Sequence, residues 1–183
     1  MTDAEPGTYA LLLKLDKQER ITIGKLGTFN FPAGYYLYVG SALGPGGLRA
    51  RLARHRRSSQ NSSGSNHGQT GQKLHWHIDY LLQRAQLVEV WSVASAERLE
   101  CKWGQVARRL SGAQVPVRGF GSSDCRCPAH LIYFSARPNR EQFERALQVC
   151  SAISYQLSAN FQEESHENHE LLHWLCHRSQ LLY

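Results

Sequence analysis

Residues 34–57, GYYLYVGSALGPGGLRARLARHRR, hold the side chains best suited to chemistry on a phosphate. A helix opening near Leu48 turns about 100° per residue, which groups Leu48, Arg51, Leu52 and His55 on one side and sends Arg49, Arg54, Arg56 and Arg57 elsewhere. A guanidinium at the edge of a core can be aimed at a phosphate and can donate in a fixed fork. The other arginines suit solvent-facing phosphate contacts. Helix geometry alone leaves a second reading open, in which the run is one basic surface helix and Arg51 snorkels outward.

Other groups of reactive side chains lie downstream. Glu100 falls at the margin of an apolar arc of Leu99, Trp103, Val106, Ala107 and Leu110, beside Gly104, where a carboxylate can face a cleft. The segment HWHIDY places His75 and His77 two apart, so they share a face on a strand and diverge on a helix. Both can contact a phosphate or a metal, or be hydrogen-bonded at the domain edge; Asp79 suits a salt bridge better than a metal shell. Cys125, Cys127 and His130 form C-x-C-x-x-H, three soft ligands without the usual C-x₂-C pairing or an obvious fourth. Zinc is therefore not expected, and these residues, with Ser123 and Asp124, read as a loop beside the site. Residues 169–173, HELLH, match a zinc-protease spacing in a helical tail rich in His and Glu, where a chance match or an apolar docking stripe is the better account.

The elements that must position these groups follow from the pattern. Tyr36, Tyr38 and Gly40 alternate with Tyr35, Leu37 and Val39 in a buried strand, and Gly44, Pro45, Gly46 and Gly47 end it and lead into the basic helix. GTYALLLKL and ITIG read as an opening antiparallel pair, Gly27–Phe31 as a short strand, QLVEVWSVAS as a buried strand and ERLECKWGQVARRL as a helix. Val115–Gly119 reads as a short strand and HLIYFS as another. Residues 58–72 hold almost nothing that can enter a core and read as a flexible loop. No glycine occurs after residue 138, and two helices are expected near 139–158 and 163–180.

The 183 residues, 42% of them hydrophobic, suffice for one sizeable core with an appendage. The net charge of +6 favours a polyanionic partner, or serves solubility. It is uneven: basic residues crowd Arg49 to Arg57, whereas Glu163, Glu164, Glu167 and Glu170 make the tail acidic. No apolar stretch is long enough to span a bilayer and no charged leader precedes the first apolar run, so a cytoplasmic, membrane-free protein is expected. Five cysteines, an odd count, fit reduced thiols.

Gly7-Thr8-Tyr9 followed by Tyr38-Val39-Gly40 is a close variant of the paired tripeptides of the GIY-YIG nucleases. With GKLGTFNFPAGYYLYVGSA, HWHIDYLL and GFGSSDCRCPAHLIYF, the chain resembles the Uri-type branch of that superfamily, a set of proteins classed as putative endonucleases. The resemblance covers residues 7–135 and leaves 136–183 as a helical C-terminal extension. It implies an α+β domain with a three-stranded antiparallel sheet flanked by helices, cleaving DNA with one divalent ion.

Carried over by position, Tyr9 and Tyr38 match the motif tyrosines that activate or orient water, and Arg51 the arginine that stabilises charge building on the phosphate. His55 falls near the nucleophile, and Glu100 matches the helical metal-binding glutamate. A lone carboxylate with waters and phosphate oxygens suits Mg²⁺ or Mn²⁺. A tyrosine is a poor base unless a cation or metal lowers its pKa, which puts weight on Arg51, His55 and the ion. Thr8 stands where relatives carry an aliphatic residue, and Ser41 where many carry a lysine; Ser41, His75 and His77 join the arginines as candidate nucleic-acid contacts. The expected function is a metal-dependent DNA endonuclease, with a nucleic-acid-binding module on the same scaffold as the alternative. Cutting two strands from one small site takes a dimer or two binding events, and the sequence does not choose.

Overall fold

The structure, a computed structural model, describes residues 5–60 and 74–161. Its elements run β1 (Gly7–Leu15), β2 (Glu19–Ile23), β3 (Gly27–Phe31), β4 (Gly34–Ala42), α1 (Gly47–Gln60), α2 (His77–Leu82), β5 (Gln86–Ala94), α3 (Glu100–Arg109), β6 (Leu131–Phe134) and α4 (Arg140–Phe161). The fold is α+β: an antiparallel four-stranded sheet in the order β5-β1-β4-β6 with flanking helices, and a separate β2-β3 hairpin. The chain divides into two compact units, Met1–Pro138 and Asn139–Tyr183, the second containing α4. No helix among the described residues is long and apolar enough to cross a membrane.

The first strand is interior, because every residue of β1 except Lys14 is buried. A strand apolar on both faces needs neighbours on both edges and cover above and below. It pairs with β4 on one side and β5 on the other, and not with the ITI segment that follows it. That segment alternates exposed and buried residues, so only one of its faces is apolar, and it pairs with β3 instead. One sheet face, carrying Tyr9, Leu11, Leu13, Tyr36 and Tyr38, joins a core with Leu48 of α1 and Ile78, Leu81 and Leu82 of α2. Leu12, Leu37, Val39 and Ile132, on the alternate positions, are fully buried as well.

Besides the pairing of β1, three further readings differ from the sequence expectation. The polar run from Ser58 does not begin as a loop, since α1 continues to Gln60 and Ser58 is buried. Residues 115–119 form no strand; Gln114 makes one isolated bridge to Tyr133, and Pro116, which has no N–H, ends the ladder there. The sheet also gains β6 at its edge beyond the three strands the resemblance implied. The expected helix near 163–180, the HELLH segment and most of the 58–72 loop lie outside the described residues.

Candidate functional site

The register of β1 against β4 sets Tyr9 opposite Gly40 and Leu11 opposite Tyr38. The Tyr9 ring lies across the Gly40 backbone so closely that a Cβ at position 40 would stand 2.6 Å from the Tyr9 hydroxyl. That hydroxyl meets Nε2 of His55, on α1, at 2.9 Å. Burial pulls the His55 pKa down to about 4 and raises Tyr9 and Tyr38 well above the ordinary tyrosine value. At neutral pH the pair is therefore a neutral imidazole against a neutral phenol. Arg51 lowers both tyrosines, yet burial outweighs it, contrary to the expectation that a neighbouring cation brings a tyrosine pKa down.

Two arginines of α1 stack on one indole. The Arg51 guanidinium carbon is 4.2 Å from the Trp76 ring centre, and that of Arg54 is 3.7 Å from it. Only Arg54 is ion-paired: its Nη2 donates to Oδ2 of buried Asp79 at 2.7 Å. The same oxygen accepts the backbone N–H groups of His75 and Trp76, which closes the N-terminus of α2. Arg54 is thus half-buried and engaged with Asp79, not solvent-facing as the helical pattern suggested. Among the described residues no carboxylate pairs with Arg51. Arg49, Arg56 and Arg57 are exposed on α1, as expected.

Glu100 opens α3 and is 5% exposed. Its charge raises both Tyr9 and Tyr38, which sets it in the same neighbourhood as Arg51. The Thr8 hydroxyl accepts the N–H of Leu99 at 3.3 Å and so moors the start of α3 beside the first motif strand. Threonine at this position therefore has a role that an aliphatic side chain cannot fill. Arg98 Nη1 lies 3.1 Å from Asp124 Oδ2 and 3.8 Å from Glu100 Oε1, which brings the 121–125 loop to the carboxylate. Ser123 is exposed. Ser41 follows Gly40 and pairs with Thr8, so strand alternation turns its side chain to the face away from Tyr38.

The two histidines of HWH diverge, because a helix begins at His77. His75 is exposed with its ring edge on Trp76. His77 Nδ1 accepts the Gly121 N–H at 3.1 Å, the ring packs on Phe120, and burial lowers its pKa. It supports the 119–130 loop through this bond.

That loop holds a second group. Cys101, Cys125, Cys127 and His130 bring one ligand atom each to within 4.8 Å of one another, a set able to hold a metal ion. The fourth ligand absent from the C-x-C-x-x-H spacing comes from Cys101 on α3, not from His75 or His77. Sequence spacing cannot reveal it, because Cys101 carries no partner at motif distance; its only signal is its place next to Glu100. Thr8, Trp76 and Asp79 likewise matter more than their sequence positions suggest, as supports of Glu100, Arg51 and Arg54.

No curated protein and no solved structure matches the chain. Residues 8–152 match the domain of unknown function DUF123. The chain belongs to the DUF123 family.

Proposed function

We propose that this protein is a metal-dependent DNA endonuclease of the GIY-YIG type, with Tyr9, Tyr38, Arg51, His55 and Glu100 as its reaction centre. The reading rests on the motif resemblance and on one observation: among the described residues Arg51 is the site arginine without a carboxylate partner, held on Trp76 beside both tyrosines. A guanidinium held without a counter-ion favours an anion arriving at that place. Glu100 fits a hard cation, because its carboxylate is buried and its ion pair with Arg98 is long, at 3.8 Å. Mg²⁺ or Mn²⁺ there would polarise a phosphoryl oxygen and acidify a water.

The chain's own groups supply the rest. Arg51 binds the non-bridging oxygens and takes up the charge that grows on them during attack. Tyr38, buried beside Tyr9 on the same sheet face, is assigned to orient the attacking water. Tyr9 is fixed by His55, whose neutral ring holds the phenol in place through their hydrogen bond. Arg49, Arg56 and Arg57 hold the DNA backbone by charge.

The test incubates purified protein with supercoiled, branched and single-stranded DNA in Mg²⁺, Mn²⁺ or chelator, beside Arg51→Ala and Glu100→Ala. Cleavage is expected with a divalent ion and falls by about 10²-fold or more in Arg51→Ala. If all three proteins bind DNA equally and none cuts, the scaffold is a nucleic-acid-binding module instead. Cleavage that survives both substitutions puts the site elsewhere.

A further inference from the structure

The four side chains Cys101, Cys125, Cys127 and His130 form a closed set. Their ligand atoms all lie within 4.8 Å of one another, and His130 Nε2 stands 3.9 Å from the Cys101 sulfur and 3.4 Å from that of Cys125. A tetrahedral zinc with Zn–S of about 2.3 Å and Zn–N of about 2.0–2.1 Å separates a sulfur from a nitrogen by about 3.6 Å. The two distances bracket that value. All three cysteines are free thiols, and three sulfurs cannot satisfy one another as a single disulfide. No carboxylate belongs to the set, which rules out a preference for the hard ions expected at Glu100.

We propose that Cys101, Cys125, Cys127 and His130 bind one Zn²⁺ as a structural site that locks the first turn of α3, and so Glu100, onto the 119–130 loop and strand β4. Binding releases the three thiol protons, and three thiolates with a dication leave one negative charge. The Arg108 guanidinium, whose charge acts on Cys127 and His130, offsets it, while its Nη1 donates to the Ala129 carbonyl at 3.4 Å.

The mechanical link to the reaction centre is backbone. Cys101 follows Glu100 directly in α3. The His130 carbonyl accepts the Val39 N–H at 2.9 Å, between Tyr38 and Gly40, and the His130 N–H donates to the Phe120 carbonyl at 2.8 Å. Gly121 has a φ of 72° and stands so close to Tyr38 that a Cβ would lie 2.8 Å from its ring. One ion therefore ties together the helix start that carries the carboxylate, the loop under Tyr38 and the strand that carries it. All four ligands come from the protein, so the ion has no open position for substrate and acts by holding. The zinc site stands independently of the endonuclease reading; only its effect on Glu100 rests on that reading.

The experiment measures zinc in the full chain purified without chelator, together with Cys101→Ser, Cys127→Ser and Glu100→Ala, with no DNA present. About one equivalent is expected in the wild type and in Glu100→Ala, falling below about a tenth in each cysteine variant. Because a cysteine variant can fail to fold, wild-type protein is also stripped and refilled with Co²⁺, which should give the intense ligand-field bands of a tetrahedral ion and a thiolate-to-cobalt charge-transfer band. Wild-type protein without zinc and without that band, a disulfide among the three cysteines in freshly reduced protein, or full zinc retention in folded Cys127→Ser overturns the proposal. Zinc with no DNA cleavage would instead sink the endonuclease reading and leave the metal site standing.

Discussion

The Tyr9 hydroxyl and the His55 Nε2 lie 2.9 Å apart with both residues buried, while His55 Nδ1 has no hydrogen-bond partner among the described residues. A buried imidazole half-satisfied in this way is costly to protonate, and burial places its pKa near 4.

The first prediction follows from the sign of that shift. An unfolded histidine takes up its proton near pH 6.5, whereas folded His55 does so only near 4, so the unfolded state binds more protons between the two. The contribution is intact above about pH 6.5 and is lost as pH falls towards about 4. Urea unfolding over that window should show the wild type losing roughly 3 kcal/mol more than His55→Gln. Parallel pH profiles for the two proteins would contradict a buried neutral His55.

Gly40→Ala tests the close approach of Tyr9. A methyl group 2.6 Å from the phenol oxygen must push it off His55, because the ring is buried and has nowhere else to go. We expect cleavage to fall by about 10²-fold with DNA binding little changed, the pattern of a misplaced reacting group. Wild-type turnover in this variant would remove Tyr9 from the mechanism.

Arg51 and Arg54 share one tryptophan and should respond in opposite ways. Arg54→Ala leaves the Asp79 carboxylate buried without its cation and should cost roughly 3 kcal/mol of stability. Arg51→Ala breaks no ion pair among the described residues and should cost less than about 1 kcal/mol, mainly its stacking on Trp76, while lowering cleavage by about 10²-fold or more. Thermal and chemical denaturation of the two variants separates these outcomes, and the reverse order would reassign the roles.

In the proposed DNA complex the exposed arginines of α1 act through charge alone. Replacing Arg49, Arg56 or Arg57 by alanine should weaken binding to every DNA sequence about equally and lower the slope of log K against log salt by about 1 for each arginine replaced. An unchanged salt slope in the triple variant would move the DNA path away from this face of α1.

Much of this arrangement is legible from residue types. The Tyr36–Gly40 alternation, the arginine helix, the Leu99–Leu110 arc with Glu100 at its margin, and the α+β class all follow from periodicity within single elements. What periodicity cannot give is the partner. On a helical wheel Arg54 looks solvent-facing, because the wheel knows nothing of Trp76 and Asp79 arriving at the start of α2. Cys101 looks like an ordinary small residue until the loop before β6 brings Cys125, Cys127 and His130 against α3. The pairing of β1 is hidden for a related reason: adjacency along the chain suggests β2, whereas burial on both faces demands two distant strands.

The place of β1 between β4 and β5 also bears on how the protein is made. β1 is buried along nearly its whole length, and its outer partner, β5, ends only at Ala94. Until then the growing chain carries an open apolar edge, and pairings this far apart in sequence close slowly. The parts of the proposed reaction centre are spread in the same way, from Tyr9 to Glu100, so no shorter nascent fragment can hold it.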